Sequence, residues 1–159
     1  MSESSSGGSA APRAIVGSDH AGVELRQSLA GILEGAGYAV KDVGPPPGES
    51  VDYPDQAAAV ATAVGDGEAD LGLLVCGTGI GMSIAANKVA GVRAALVHDP
   101  FTASMAREHN DANVVCVGAR VTGSDLAVAA LRAFLQASPS EADRHQRRRG
   151  KISALEGQG

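Results

Sequence analysis

Residues 71–88 read LGLLVCGTGIGMSIAANK. Leu71 to Val75 is a short apolar run with the length of a buried strand. Cys76 ends it, and Gly77, Thr78, Gly79, Ile80 and Gly81 follow, after which Met82 to Ala86 reads as a helix. Strand, glycine loop and helix in succession point free backbone N–H groups at one place, the arrangement that holds an anion. Cys76 stands at the mouth of that loop, where a helix N-terminus favours the thiolate. One segment therefore offers an acid–base group beside an anion hole.

The same alternation extends in both directions. Ala14–Gly17 reads as a strand, and Val23 to Ala36 as a helix with Leu25, Leu29, Ile32 and Leu33 at helical spacing and Gly37 as its stop signal. Tyr38–Val43 reads as a second strand, Gly44-Pro45-Pro46-Pro47-Gly48 as a loop, and Pro54 to Val64 as an alanine-rich helix with Asp52 placed to cap it. After the central segment come a strand over Val92–Val97, a helix from Pro100 to about His109, a strand over Val114–Val117 and helices over Ser124–Gln136 and roughly Glu141–Leu155. Five strand–helix alternations predict a parallel sheet covered on both faces. Ligands bind such sheets at the carboxyl ends of the strands. That rule nominates Ser18-Asp19-His20, Cys76 to Gly81, His98-Asp99 and Gly118-Ala119-Arg120.

Composition supports this class. The 159 residues suit one domain with a core of its own, over residues 13–156, behind a Ser/Gly-rich N-terminal tail over 1–12 expected to be disordered. Hydrophobic content is 44% and aromatic content only 3%, so Ala, Val, Leu and Ile must do the packing, which suits a parallel layer fold. A net charge of −5 argues against general nucleic-acid binding, and no stretch approaches a membrane span. Two cysteines do not form a disulfide scaffold, which fits a reduced cytoplasmic setting, and no Cys/His spacing matches a zinc site.

Each candidate has a plainer reading. Cys116 lies inside an apolar strand and reads as core. Gly77-x-Gly79 with Asp99 further on evokes a dinucleotide or phosphate-binding module, but Met82 stands where the third glycine belongs, and no Gly-Lys-Ser/Thr makes a P-loop. Asp19 suits a helix cap; His109-Asn110-Asp111 suits a helix C-terminus and turn. His20 and His109 are expected on loops of one sheet edge, where two histidines together point to a site. Five of the 13 basic residues fall in Arg144–Lys151, and Arg144 and Arg148, four apart, share a face able to grip phosphate.

The strings GSDHAG (17–22), DYPD (52–55), VCGTGIGMSIAANKVAGVRAA (75–95), REHNDANVVCVGAR (107–120) and RHQRR (144–148) resemble the ribose-5-phosphate isomerase B family, from about Ala14 to Ile152. The resemblance implies a Rossmann-like three-layer α/β/α sandwich with a five-stranded parallel sheet. It implies homodimers or tetramers with active sites between subunits, and neither metal nor organic cofactor. The implied reaction is aldose–ketose isomerisation of a phosphorylated sugar, such as ribose 5-phosphate to ribulose 5-phosphate in the pentose phosphate pathway, through a cis-enediolate. Erythrulose 4-phosphate, allose 6-phosphate and galactose 6-phosphate are the other substrates it allows. By the same resemblance Cys76 is the base, Thr78 the hydroxyl near the reacting carbons and His109 the ring-opening proton shuttle, with Asp19 orienting groups at that end. Asn110 contacts the sugar. The N–H groups of Gly77, Gly79 and Gly81 belong to an oxyanion hole, and His20, Arg120, Arg144 and Arg148 contact phosphate, the last two from a neighbouring subunit. Some members carry a glutamate base just after the last loop glycine; Met82 stands there in this chain, so it resembles the cysteine type.

Overall fold

The computed structural model describes residues 8–157. Of the expected disordered tail, residues 1–7 lie outside the described residues, and residues 8–12 form neither helix nor strand. The strands are β1 (Arg13–Ser18), β2 (Ala39–Asp42), β3 (Leu71–Cys76), β4 (Ala94–Leu96) and β5 (Val114–Gly118). The helices are α1 (Val23–Gly35), α2 (Tyr53–Gly65), α3 (Ile80–Ala86), α4 (Pro100–Asn110), α5 (Ser124–Gln136) and α6 (Asp143–Ala154). The sheet runs β2-β1-β3-β5-β4 and every pairing is parallel.

Alternation along the strands builds two cores. Val16, Leu73, Val75, Val115 and Val117 face α1, α4 and α5, with Leu29, Leu33, Ala103 and Leu131 among the residues opposite. Ile15, Leu74, Cys76, Val114 and Cys116 face α2 and α3, with Val60, Ala61, Met82 and Ala86 opposite. Nearly every residue of β3 and β5 is apolar because both faces are covered. With so few aromatics, small side chains let the layers approach closely: a Cβ on Gly72 would stand 2.8 Å from Val60.

The fourth strand is shorter than its apolar run, three residues instead of six. It is an edge strand with one neighbour, and side chains supply what a second neighbour would. Asn87 accepts from the Ala94 N–H at 2.8 Å and donates to the Ala94 carbonyl at 2.9 Å. Asn113 accepts from the Arg93 N–H at 2.7 Å and donates to the Gly91 carbonyl at 2.9 Å. Asn87 thus occupies backbone groups on the open side of the strand that otherwise invite pairing with another chain, while Asn113 ties the start of the strand to the β5 side.

Asp52 does occupy the position before α2, but its side chain makes no cap hydrogen bond. Arg26 was not singled out by the sequence, yet it is one of the few buried charges, 3% exposed. Its guanidinium donates to Ser18 Oγ at 2.6 Å, to Asp42 at 3.2 Å and to the Pro45 carbonyl at 2.9 Å. It thereby fastens the ends of β1 and β2 to the proline loop. Arg26→Ala is expected to destabilise the protein by about 2–4 kcal/mol, since it removes a buried guanidinium hydrogen-bonded to three partners and leaves a cavity. Chemical denaturation at fixed protein concentration reads this; a change within ~0.5 kcal/mol would mean the clamp is dispensable.

Candidate active site

The carboxyl edge of the sheet collects the segments that follow β1, β3 and β5. Cys76 closes β3, is 4% exposed, and points to the α2/α3 face. The chain then turns through Gly79, whose φ of +77° is left-handed and suits glycine. That turn brings the Gly79 N–H to Cys76 Sγ at 3.1 Å, a donor placed to stabilise negative charge on sulfur. The Ile80 N–H goes to Thr78 Oγ1 at 3.2 Å. Two of the loop N–H groups are thus engaged locally. Those of Gly77, Thr78 and Gly81 have no partner among the described residues; of the three glycine N–H groups expected in an oxyanion hole, that of Gly79 is instead taken by the Cys76 sulfur.

The end of β5 holds this loop in place. Ala119 donates to the Cys76 carbonyl at 2.8 Å and Arg120 to the Gly77 carbonyl at 2.9 Å. Thr78 lies directly on Gly118, where a Cβ would stand 2.6 Å from Thr78 backbone atoms. The Arg120 side chain runs beside Gly77, with Nη1 3.4 Å from where a Cβ would sit. From β1, the buried Asp19 donates its N–H to the Val75 carbonyl at 3.2 Å and accepts from the Ala21 N–H at 2.9 Å. The exposed His20 lies next to it, its Nδ1 3.4 Å from Ser50 Oγ. Asp19, His20, Cys76, Thr78 and Arg120 therefore share one edge.

Tyr53, in the first turn of α2, was missed by residue-level reading. Its ring lies on Gly81, within 2.5 Å of where a Cβ would be, and forms a wall of the loop at 41% exposure. The signal was present in DYPD, but nothing in the string says where α2 begins relative to the loop.

The expectation that His109 shares the edge of His20 is corrected. β4 ends at the carboxyl edge, and α4 carries the chain back to the opposite edge, where its last residues are His109 and Asn110. There Asp111 adopts a left-handed φ of +49°, held by Arg107 at 2.6 Å and Arg93 at 3.4 Å. The α6 helix docks on the same end of α4. Its His145 stacks on His109 with ring centroids 4.1 Å apart, while Arg144 and Arg148 are exposed beside it. Asn110 also lines a groove of about 800 Å³ outside β4, shared with Arg93, Ile152 and Leu155. One chain thus carries two separate groups of candidate residues at opposite edges.

Two alternatives lose ground. Asp99, the acid a dinucleotide site would use, caps α4 by accepting from the Thr102 N–H at 2.7 Å in a reciprocal capping box. Cys116 is fully buried in β5, and burial, with a smaller contribution from Cys76, pushes its thiol far above the usual range.

Residues 14–152 match the ribose/galactose isomerase family. The chain is 46% identical over 140 residues to ribose-5-phosphate isomerase B of Escherichia coli, covering 88% of this chain and 93% of that one. It is 45% identical over 123 residues to D-erythrulose-4-phosphate isomerase of Pectobacterium atrosepticum, covering 77% and 81%. The solved structure of type B ribose 5-phosphate isomerase from Trypanosoma brucei superposes with a TM-score of 0.89 at 49% identity, covering 92% and 100%.

Gly118→Ala forces the Thr78 peptide to move, because the added methyl meets backbone rather than a flexible side chain. The expected result is a loss of about 1–3 kcal/mol in stability. Iodoacetamide should also label Cys76 faster than in the unsubstituted protein, with Cys116 unlabelled in both. Equal labelling rates would show that β5 does not hold the loop.

Proposed function

The chain belongs to the ribose/galactose isomerase family of sugar-phosphate isomerases, and we propose that it interconverts ribose 5-phosphate and ribulose 5-phosphate. The observation that carries this reading is Cys76 Sγ held under the Gly79 N–H, beside the free N–H groups of Thr78 and Gly81. In the open-chain aldose the Cys76 thiolate takes the proton from C2. The electron pair moves to the carbonyl oxygen, giving an enediolate whose charge meets the free N–H groups. The C2 hydroxyl proton passes to O1, with the Thr78 hydroxyl beside the reacting carbons, and the proton on Cys76 returns to C1. No atom is gained or lost. Met82 is fully buried beneath the loop and has no exchangeable proton, which supports the reading of the thiol as the base.

Furanose opening comes first, and it needs a proton donor and acceptor near neutrality, the role given to His109. His109 stands at the far edge of its own sheet, so a second copy of the chain supplies it. In the proposed homodimer the carboxyl edge of one subunit provides Asp19, His20, Cys76, Thr78 and Arg120. The opposite edge of its partner provides its own copies of His109, Asn110, Arg144 and Arg148. Forked arginines on both sides grip the phosphate. Pairing of two such dimers gives the tetramer also open to this chain. Both cysteines are free thiols, which supports a reduced, cytoplasmic setting.

D-erythrulose 4-phosphate is the second reading, because the relative of that name is almost as similar in sequence. The larger share of chain matched by the ribose-5-phosphate isomerase favours the pentose. Turnover of both substrates by the purified protein separates them.

Subunit sharing has a sharper test. Cys76→Ser and His109→Asn are each expected to lose about 10²–10⁴ in kcat. Co-refolded in equal amounts, they form mixed dimers with one intact site, and about a quarter of sites recover activity. No recovery would refute sites built from two subunits. Arg148→Ala is expected to raise KM about tenfold or more with a smaller change in kcat, since charge-assisted phosphate contacts act mainly on binding. An unchanged KM would remove Arg148 from the phosphate grip.

A further inference from the structure

The mechanism uses Arg144 and Arg148 of α6 and leaves the adjacent row, His145 and Arg149, without a task. That row turns inward: His145 is 6% exposed. Its ring lies nearly flat against His109, with the planes 13° apart and the centroids 4.1 Å apart. Four residues on, the Arg149 guanidinium donates to the His109 carbonyl at 3.3 Å and to the Ser140 carbonyl at 2.9 Å. Ser140, just before α6, donates its N–H to the Glu108 carbonyl at 2.8 Å. The last turn of α4 is therefore held by its backbone on one side and by a flat ring on the other.

We propose that His145 is a positioning residue for His109: its ring is a plate that fixes the plane of the His109 imidazole and leaves the ring edge free for proton transfer. This rests on the assignment of ring opening to His109 made above. Imidazole exchanges protons only in its own plane, at two distinct nitrogens, so rotation about χ2 would swing both away from the sugar. A stacked neighbour opposes that rotation without occupying either nitrogen. The plate has to be uncharged, or it would set a like charge against a protonated His109. Burial first, then His109, Arg144, Arg148 and Arg149, holds His145 below the ordinary histidine range. The basic helix thus has two rows, one that grips phosphate across the interface and one that aims its own subunit's histidine.

The test compares the unsubstituted protein with His145→Ala and His145→Phe, the second of which keeps a flat ring but cannot ionise. Imidazole NMR signals of His109, assigned by their loss in His109→Asn, report the stack without reference to activity. Expected for His145→Ala is loss of the ring-current shift on His109 and a kcat on ribose 5-phosphate lower by about tenfold or more, with KM within about twofold. His145→Phe is expected to restore the shift and most of kcat. His109 signals that do not move in His145→Ala, or a Phe variant as slow as the Ala variant, would overturn the proposal. If the unsubstituted protein fails to turn over ribose 5-phosphate, the functional reading falls, while the His109 signals still decide the stack.

Discussion

Every strand of this sheet ends at the same edge, and the helices that follow strands, α1 to α5, carry the chain back to the other. That single constraint distributes the chemistry. Residues that follow strands, among them Asp19, His20, Cys76 and Arg120, gather at the carboxyl edge. Residues that end helices, His109 and Asn110, gather at the opposite edge, and α6 docks there with its arginines. A monomer therefore owns every group the proposed reaction needs and has no way to bring them together. The proposed subunit sharing follows from topology before any interface is considered.

Within the thiol edge, precision comes from backbone rather than side chains. The loop after β3 is bonded to the chain after β5 through Ala119 and Arg120, and Gly118 allows the Thr78 peptide to rest on it. Backbone contacts of this kind do not rotate, so the thiol and the free N–H groups keep their relative positions. The two cysteines show what the loop adds. Both face the same core layer, but Cys76 receives a donor from Gly79, whereas Cys116, deep in β5, is pushed up by burial. Position at a strand end gives Cys76, the proposed base, a backbone donor that Cys116 lacks.

Much of this was legible in the sequence, for a physical reason. Apolar runs too short for helices, followed by glycine or a polar pair, mark strand ends, and that rule placed Asp19, His20, Cys76 and Arg120 at one edge, together with Asp99, which serves instead as the cap of α4. The rule is silent on helix ends, so placing His109 beside His20 failed: α4 had to be followed across the sheet to see where its last turn lies. Side chains that serve through geometry were invisible. Arg26 looks like any helix residue until its buried guanidinium meets Ser18, Asp42 and Pro45. Asn87 and Asn113, inside strings that identify the family, bond the backbone around an edge strand. Their partners lie 7, 20 and 22 residues away, beyond any local pattern.

The charge distribution supports the proposed composite site. The chain carries −5, a field that repels a phosphate dianion at long range. The thiol edge counters this with only His20 and Arg120 among the positions nominated for phosphate. Five of the chain's 13 Lys and Arg residues sit instead in α6, at the other edge. Salt at physiological strength screens exposed charges over about 8 Å, so a basic helix at the far edge adds little to the thiol edge of its own subunit. Its charge becomes useful where a partner's sugar phosphate is brought within contact. An acidic chain with one basic helix, mounted at the edge opposite the thiol, has the charge pattern of a subunit that completes its neighbour's site.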